Sequence, residues 1–305
     1  MKQMNRTALF LLLTFGICWS AVAIFALAGG TYEGIPGTIL ATGFMIVPAI
    51  SAFIVTRLVH REKIGKNLLV SFKINRWFFV AWLTPPLIHF ASMGIALLFP
   101  EVSYSPDMEG MFTRYEEMLT PEQMEDMRLS MAMMPLHPLL MAVLQGLLAG
   151  ATINAVISFG EELGWRGFLV QQLQGRRFVR VSLIIGAIWG IWHAPIILLG
   201  HNYPEHPVAG VFMMTAWCIL LSPLFLYVTL KSGSVIAASV MHGSLNGTVG
   251  IGIMMLEGGN DMLVGSTGLA GFVALIGFIL LLFLYDRYIS KERIMGKAVL
   301  IQKSK

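Results

Sequence analysis

Charged residues divide this chain into long apolar runs. Stretches free of Asp, Glu, Lys and Arg cover residues 7–32, 34–56, 77–100, 129–160, 181–204, 206–230, 232–256 and 262–285, and each is at least 23 residues long. About 20 apolar residues cross a bilayer as an α-helix, so the pattern predicts about eight transmembrane helices. A membrane barrel would alternate polar and apolar positions over segments of roughly ten residues, and no such alternation runs through the chain. The expected fold is all-α: a polytopic membrane helix bundle, with residues 1–305 forming a single integral membrane domain.

Composition agrees with a bilayer as the solvent. Of 305 residues, 56% are hydrophobic and 12% charged, about half the charged share of a soluble domain. The mean hydropathy is +0.73. A formal net charge of +4 is no nucleic-acid footprint, because the Lys and Arg lie in short loops between spans. Cys18 and Cys218 both fall inside apolar runs, which excludes a disulfide scaffold. The start of the chain has the outline of a signal peptide, but the 7–32 run exceeds the 7–15 residues of a typical signal core, so the first span is expected to be retained.

Loop charges then set an orientation. Lys2 and Arg6 precede span one. Arg57, Arg61, Lys63, Lys66, Lys73 and Arg76 sit between spans two and three, and Arg166, Arg176, Arg177 and Arg180 between spans four and five. Arg287, Lys291, Arg293, Lys297, Lys303 and Lys305 follow the last span. With eight spans these segments share one side. Glu33, the acidic stretch 101–128, Glu205, Glu257 and Asp261 share the other. The positive-inside rule places both termini in the cytoplasm, and the short tails suggest a prokaryotic plasma membrane. In the long outer loop, Thr120-Pro121-Glu122-Gln123 reads as a capped helix start. Met124, Met127, Met131 and Met134 then recur at helical spacing, predicting a short surface helix.

Ionisable groups within spans carry a functional hypothesis by default. Three clusters stand out: Glu161-Glu162-Leu163-Gly164-Trp165-Arg166, read as the basic-side end of span four; Trp189 to Pro195 around His193; and His242-Gly243-Ser244-Leu245-Asn246. Glu162 and Arg166 lie at i and i+4 and can pair, while Glu161, rotated about 100°, is left available. His242 and Asn246 share a helix face. His193 and His242 lie ~18 Å and ~15 Å from the basic side at the helical rise, so they can meet. This set suits hydrolysis of an acyl bond by water. Glu161 takes the proton, His193 holds the water, and His242 with Asn246 donate to the developing oxyanion. Glu162 and Arg166 orient the site. His89 and His137 read as structural, His201 and His206 as residues of a solvated loop. Trp165, Trp189 and Trp192 read as either cleft lining or packing.

The order Glu-Glu-x-x-x-Arg, aromatic-x-x-x-His, His-x-x-x-Asn on spans four, five and seven resembles the CPBP family of CAAX proteases and bacteriocin-processing proteins. The resemblance covers about 135–256, taken as the family catalytic core. One position departs from the pattern: Trp189 stands where the family usually has Phe, which reads as a change of pocket shape. The resemblance implies an eight-helix intramembrane endopeptidase with its active site opening to the cytoplasm. It implies as substrate a peptide or lipidated protein associated with the membrane, a prenylated CAAX-like one among the candidates, with membrane lipids as the other partners and no nucleic acid. No cofactor is required in this reading. Two alternatives stay open: a zinc-dependent version with Glu161, His193 and His242 as ligands and water at the fourth position, and a non-catalytic membrane scaffold or transporter.

Overall fold

The computed structural model describes residues 5–32, 34–63, 68–115 and 120–301. Lys2, Glu33, Lys66, Lys303 and Lys305 of the loop-charge pattern lie outside them. The long elements are α1 (Arg6–Leu27), α2 (Gly34–Phe53, extended by a π-helical stretch Ile54–Val59) and α3 (Arg76–Ala96). A short strand β1 (Val102–Tyr104) leads to α4 (Glu109–Tyr115) and α5 (Pro121–Ala132). Next come α6 (Pro138–Ala151) and α7 (Ile153–Glu162), the latter running on through a π-helical stretch Leu163–Leu169 into α8 (Val170–Gln172). The remaining elements are α9 (Phe178–Trp192), α10 (Ala194–Leu198), α11 (Pro207–Ser232), α12 (Val235–Thr248), α13 (Ile251–Met254), β2 (Leu256–Gly258) and α14 (Leu269–Leu284). The molecule is an all-α polytopic bundle.

All eight uncharged runs hold helix, but not equally. Among the described residues five helices are long and apolar enough to cross a membrane: α1, α2 with its π-helical extension, α3, α11, and α14 with the π-helical stretch Tyr285–Ile289 that continues it. The pair α6 and α7–α8, bent by 52° at Thr152, passes the same test when taken together, which makes six if the pair is one span. The 181–204 and 232–256 runs hold α9 and α12, of 15 and 14 residues. Both are shorter than a full span because polar chemistry interrupts them: α9 stops at His193, just before Pro195, and α12 ends two residues after Asn246. These short helices carry two of the three sequence motifs, at the centre of the bundle against α7, α3 and α11.

Small residues permit that closeness. A Cβ at Gly243 of α12 would lie 2.4 Å from the carbonyl oxygen of Gly150 and 2.5 Å from the nitrogen of Ala155. Only glycine lets the backbone bearing His242 press against the α6–α7 bend.

The two ends of the bundle differ in charge. At one end the residue 173–178 turn pairs with the C-terminal segment, Gly175 N–H donating to Val299 O and Phe178 N–H to Lys297 O, both at 2.9 Å. Lys231 reaches Ser290 and Glu292 there, Val235 N–H donates to Leu69 O, and Arg6 pairs with Glu62 at 2.8 Å. At the other end β1 pairs antiparallel with β2. Asp261 accepts from the backbone of Glu205 and His206 and pairs with the His206 ring at 2.6 Å. Tyr203 O–H donates to Thr267 O. The basic segments therefore assemble at one end and the acidic loops at the other. The surface helix α5 starts as the sequence predicts: Thr120 and Gln123 form a reciprocal capping box, and Met124, Met127 and Met131 pack with Met108, Met111 and Phe112.

Candidate active site

The Glu pair is not at a helix end. The helix continues past Glu162 for the seven residues of the π-helical stretch and the three of α8, about 15 Å at the α-helical rise. The expected position just under the basic end is corrected accordingly: both carboxylates lie in the interior. Glu161 is 2% exposed, Glu162 0% and Arg166 1%. The π-helical turns immediately after Glu162 are a local departure that recurs at functional sites.

The two carboxylates have separate partners, as their rotation about the helix requires. Glu162 Oε1 accepts from Arg166 Nη1 at 3.0 Å and also from His242 Nδ1 at 2.8 Å. The Arg166 guanidinium lies between two rings, 4.3 Å from the centre of Trp189 and 4.4 Å from that of Phe225. Such cation–π contacts are strongest where water is excluded. Glu162 thus ties α7 to α12 and sets the tautomer of His242, whose Nε2 is left for the cavity.

Glu161 Oε2 accepts from two indoles, Trp189 Nε1 at 2.6 Å and Trp165 Nε1 at 3.3 Å. Trp189 also holds His193, because its backbone carbonyl accepts from His193 Nδ1 at 2.8 Å. A carbonyl only accepts, so Nδ1 carries the proton and Nε2 of the neutral ring presents its lone pair. One residue therefore grips the carboxylate with its side chain and the imidazole with its backbone.

Glu161, His193, His242 and Asn246 line one cavity of about 240 Å³. Three helices bring one carboxylate, two imidazoles and an amide to a common space, as the spacing predicts. Asn246 is exposed, at the cavity margin, and also borders a neighbouring groove of about 480 Å³ between α2 and α7. Glu162 and Arg166 stand behind the cavity wall. His201, read as a solvated loop residue, lines the cavity and packs on Tyr32 at 5.0 Å between ring centres. His89 is buried against Thr248 O, and His137 caps α6.

The indole partners of Glu161 escaped sequence reasoning, which left the tryptophans divided between lining and packing. The signal was the i, i+4 spacing of Glu161 and Trp165 and the proximity of Trp189 to His193. The Trp that replaces the usual Phe changes more than shape: it supplies a donor that Phe lacks. A hydrogen bond to a charged group contributes about 1.5–3 kcal/mol. Trp189→Phe is therefore expected to lower kcat roughly tenfold or more while the thermal midpoint holds, since the ring over Arg166 is kept; activity and melting curves on the same preparation check it.

The same donor set tests the zinc alternative. Among the described residues no group of three His, Cys, Asp or Glu side chains is placed to hold a metal ion, and Oε2 of Glu161 is already engaged by two indole donors.

Comparison with known proteins bears on the same region. Residues 135–248 match the family described as type II CAAX prenyl endopeptidase Rce1-like. A relative named CAAX prenyl protease 2, from Methanococcus maripaludis, is 31% identical over 96 residues, covering 28% of this chain and 34% of the relative. The chain thus spans about a third of the length of the curated relative that it matches. The apolar helices and this family together support an integral membrane protein. The match and the three motifs coincide on one stretch, and over residues 135–248 this chain is similar to the type II CAAX prenyl endopeptidase Rce1-like family.

Proposed function

We propose that this protein is an intramembrane endopeptidase that hydrolyses a peptide bond of a membrane-associated protein with a water molecule activated by Glu161. The observation that carries the reading is the single cavity shared by Glu161, His193, His242 and Asn246. Glu161 takes a proton from the attacking water, and His193 Nε2 accepts the second hydrogen and orients the oxygen. The tetrahedral oxyanion receives hydrogen bonds from Asn246 and from His242 Nε2–H. Arg166 is the only permanent cation beside two carboxylates, so an imidazolium at His242 brings the buried cluster to net neutrality and makes Nε2 a donor. Glu161 then returns its proton to the leaving amine. The two indoles hold the carboxylate in place through the cycle. This reading requires no metal ion.

The test uses purified full-length protein with a fluorogenic farnesylated peptide and a library of membrane-derived peptides. Wild type cleaves, and Glu161→Gln and His193→Ala do not; equal cleavage by all three would identify a contaminating protease and end the proposal. Asn246→Ala refines it. Loss of one oxyanion donor costs about 10²–10³ in kcat. Asn246→Ala is expected to lose that much with little change in KM, and a change confined to KM would reassign Asn246 to substrate binding.

A further inference from the structure

The cavity has a direction. Its rim is formed by Tyr32 from the α1–α2 loop, His201 and Asn202 from the α10–α11 loop, and Thr267 ahead of α14. These loops are interlocked with the acidic end of the bundle through the Tyr32–His201 contact, the Tyr203–Thr267 bond and the Asp261 clamp on Glu205 and His206. None of the cavity's lining residues comes from the basic loops or the C-terminal segment. Towards the basic end the way is filled. Trp165 and Phe168 are 0% and 1% exposed, Phe10 meets Trp165 edge-on at 5.7 Å and stacks on Phe168 at 4.6 Å, and Leu68 is 0% exposed.

Charge fixes which end is which. Of the chain's 21 Lys and Arg, only Arg114 and Arg128 belong to the acidic end, which carries most of the acids. Basic short loops stay in the cytoplasm. We infer that the site is entered from the outer face of the membrane, and that its substrates are peptide segments exposed there: exported peptides, or the outer ends of membrane-spanning helices. The inference rests on the hydrolytic reading for the word substrate, and it departs from the cytoplasmic access that the family resemblance implies. A C-terminal peptide held at the inner leaflet by a lipid would meet the plug of Phe10, Trp165 and Phe168 rather than Glu161.

Sided labelling tests this on the full chain in a bacterial host. Single variants Glu205→Cys at the acidic end, Thr267→Cys at the cavity rim and Lys291→Cys at the basic end are treated with a membrane-impermeant maleimide. The native Cys18 and Cys218 are buried, and the parent protein gives the background. The expected result is labelling of Glu205→Cys and Thr267→Cys in right-side-out vesicles and of Lys291→Cys only in inverted ones. Labelling of Thr267→Cys from inverted vesicles alone, or from neither side, overturns the inference. An impermeant fluorogenic peptide library supplies the second readout: cleavage is expected with right-side-out vesicles and is lost in Glu161→Gln. Cleavage only by inverted vesicles overturns outer access and leaves the hydrolase standing. Outer labelling without any Glu161-dependent cleavage supports the access and removes the hydrolase.

Discussion

Glu161→Gln is expected to abolish peptide cleavage while leaving the folded protein intact. Gln keeps the size of Glu, and its amide oxygen still accepts from Trp189 and Trp165, so the two indole contacts at 2.6 and 3.3 Å survive. What disappears is the ability to take a proton from water. General-base action contributes about 10²–10⁴-fold, and with no other carboxylate lining the cavity the loss is expected near the upper end. Glu162→Gln provides the contrast. It disturbs His242 and Arg166 and so reduces stability as well as rate. The check is kcat for both variants alongside detergent-solubilised melting curves. A Glu161→Gln protein that melts early and regains activity when stabilised would make Glu161 structural.

Arg166→Met is expected to carry the largest stability loss of any single change in the site. Arg166 and Glu162 form an ion pair whose side chains are 1% and 0% exposed. Removing one partner of such a pair leaves an uncompensated buried charge and costs about 3–5 kcal/mol. Glu162 Oε2 already lacks a hydrogen-bond partner, so His242 alone would have to balance the carboxylate. The double variant Arg166→Met/Glu162→Gln removes both charges and should regain much of the lost stability. Thermal unfolding of wild type, single and double variants decides the matter. If the single variant melts with wild type, the buried ion pair does not carry that stability.

Much of this architecture is legible in one dimension. A bilayer demands apolar runs, so the spacing of charges located helix in all eight stretches. The Thr120 capping box was readable because a cap is a contact within four residues. Glu162 with Arg166, and His242 with Asn246, were readable for the same reason: the helical repeat places i and i+4 on one face. The length of each helix was less so. The charge at Glu161 looked like the end of a span, yet the helix runs on to Gln172, because Trp189, Trp165, His242 and Arg166 compensate the carboxylates inside the protein. Charge marks a boundary only where the alternative partner is water.

The sequence alone settles the solvent, the helical class, the family resemblance and the identity of the chemically able side chains, since each follows from composition or from spacing along one helix. The tertiary structure alone decides that Glu161 is held by two indoles, that Glu162 reaches across to His242, that α9 and α12 fall short of full spans, and that the cavity opens among the acidic loops. These depend on contacts between residues far apart along the chain, 80 positions for Glu162 and His242 and 169 for Tyr32 and His201. No local periodicity encodes such distances; they are set by how closely glycine-lined helices can pack.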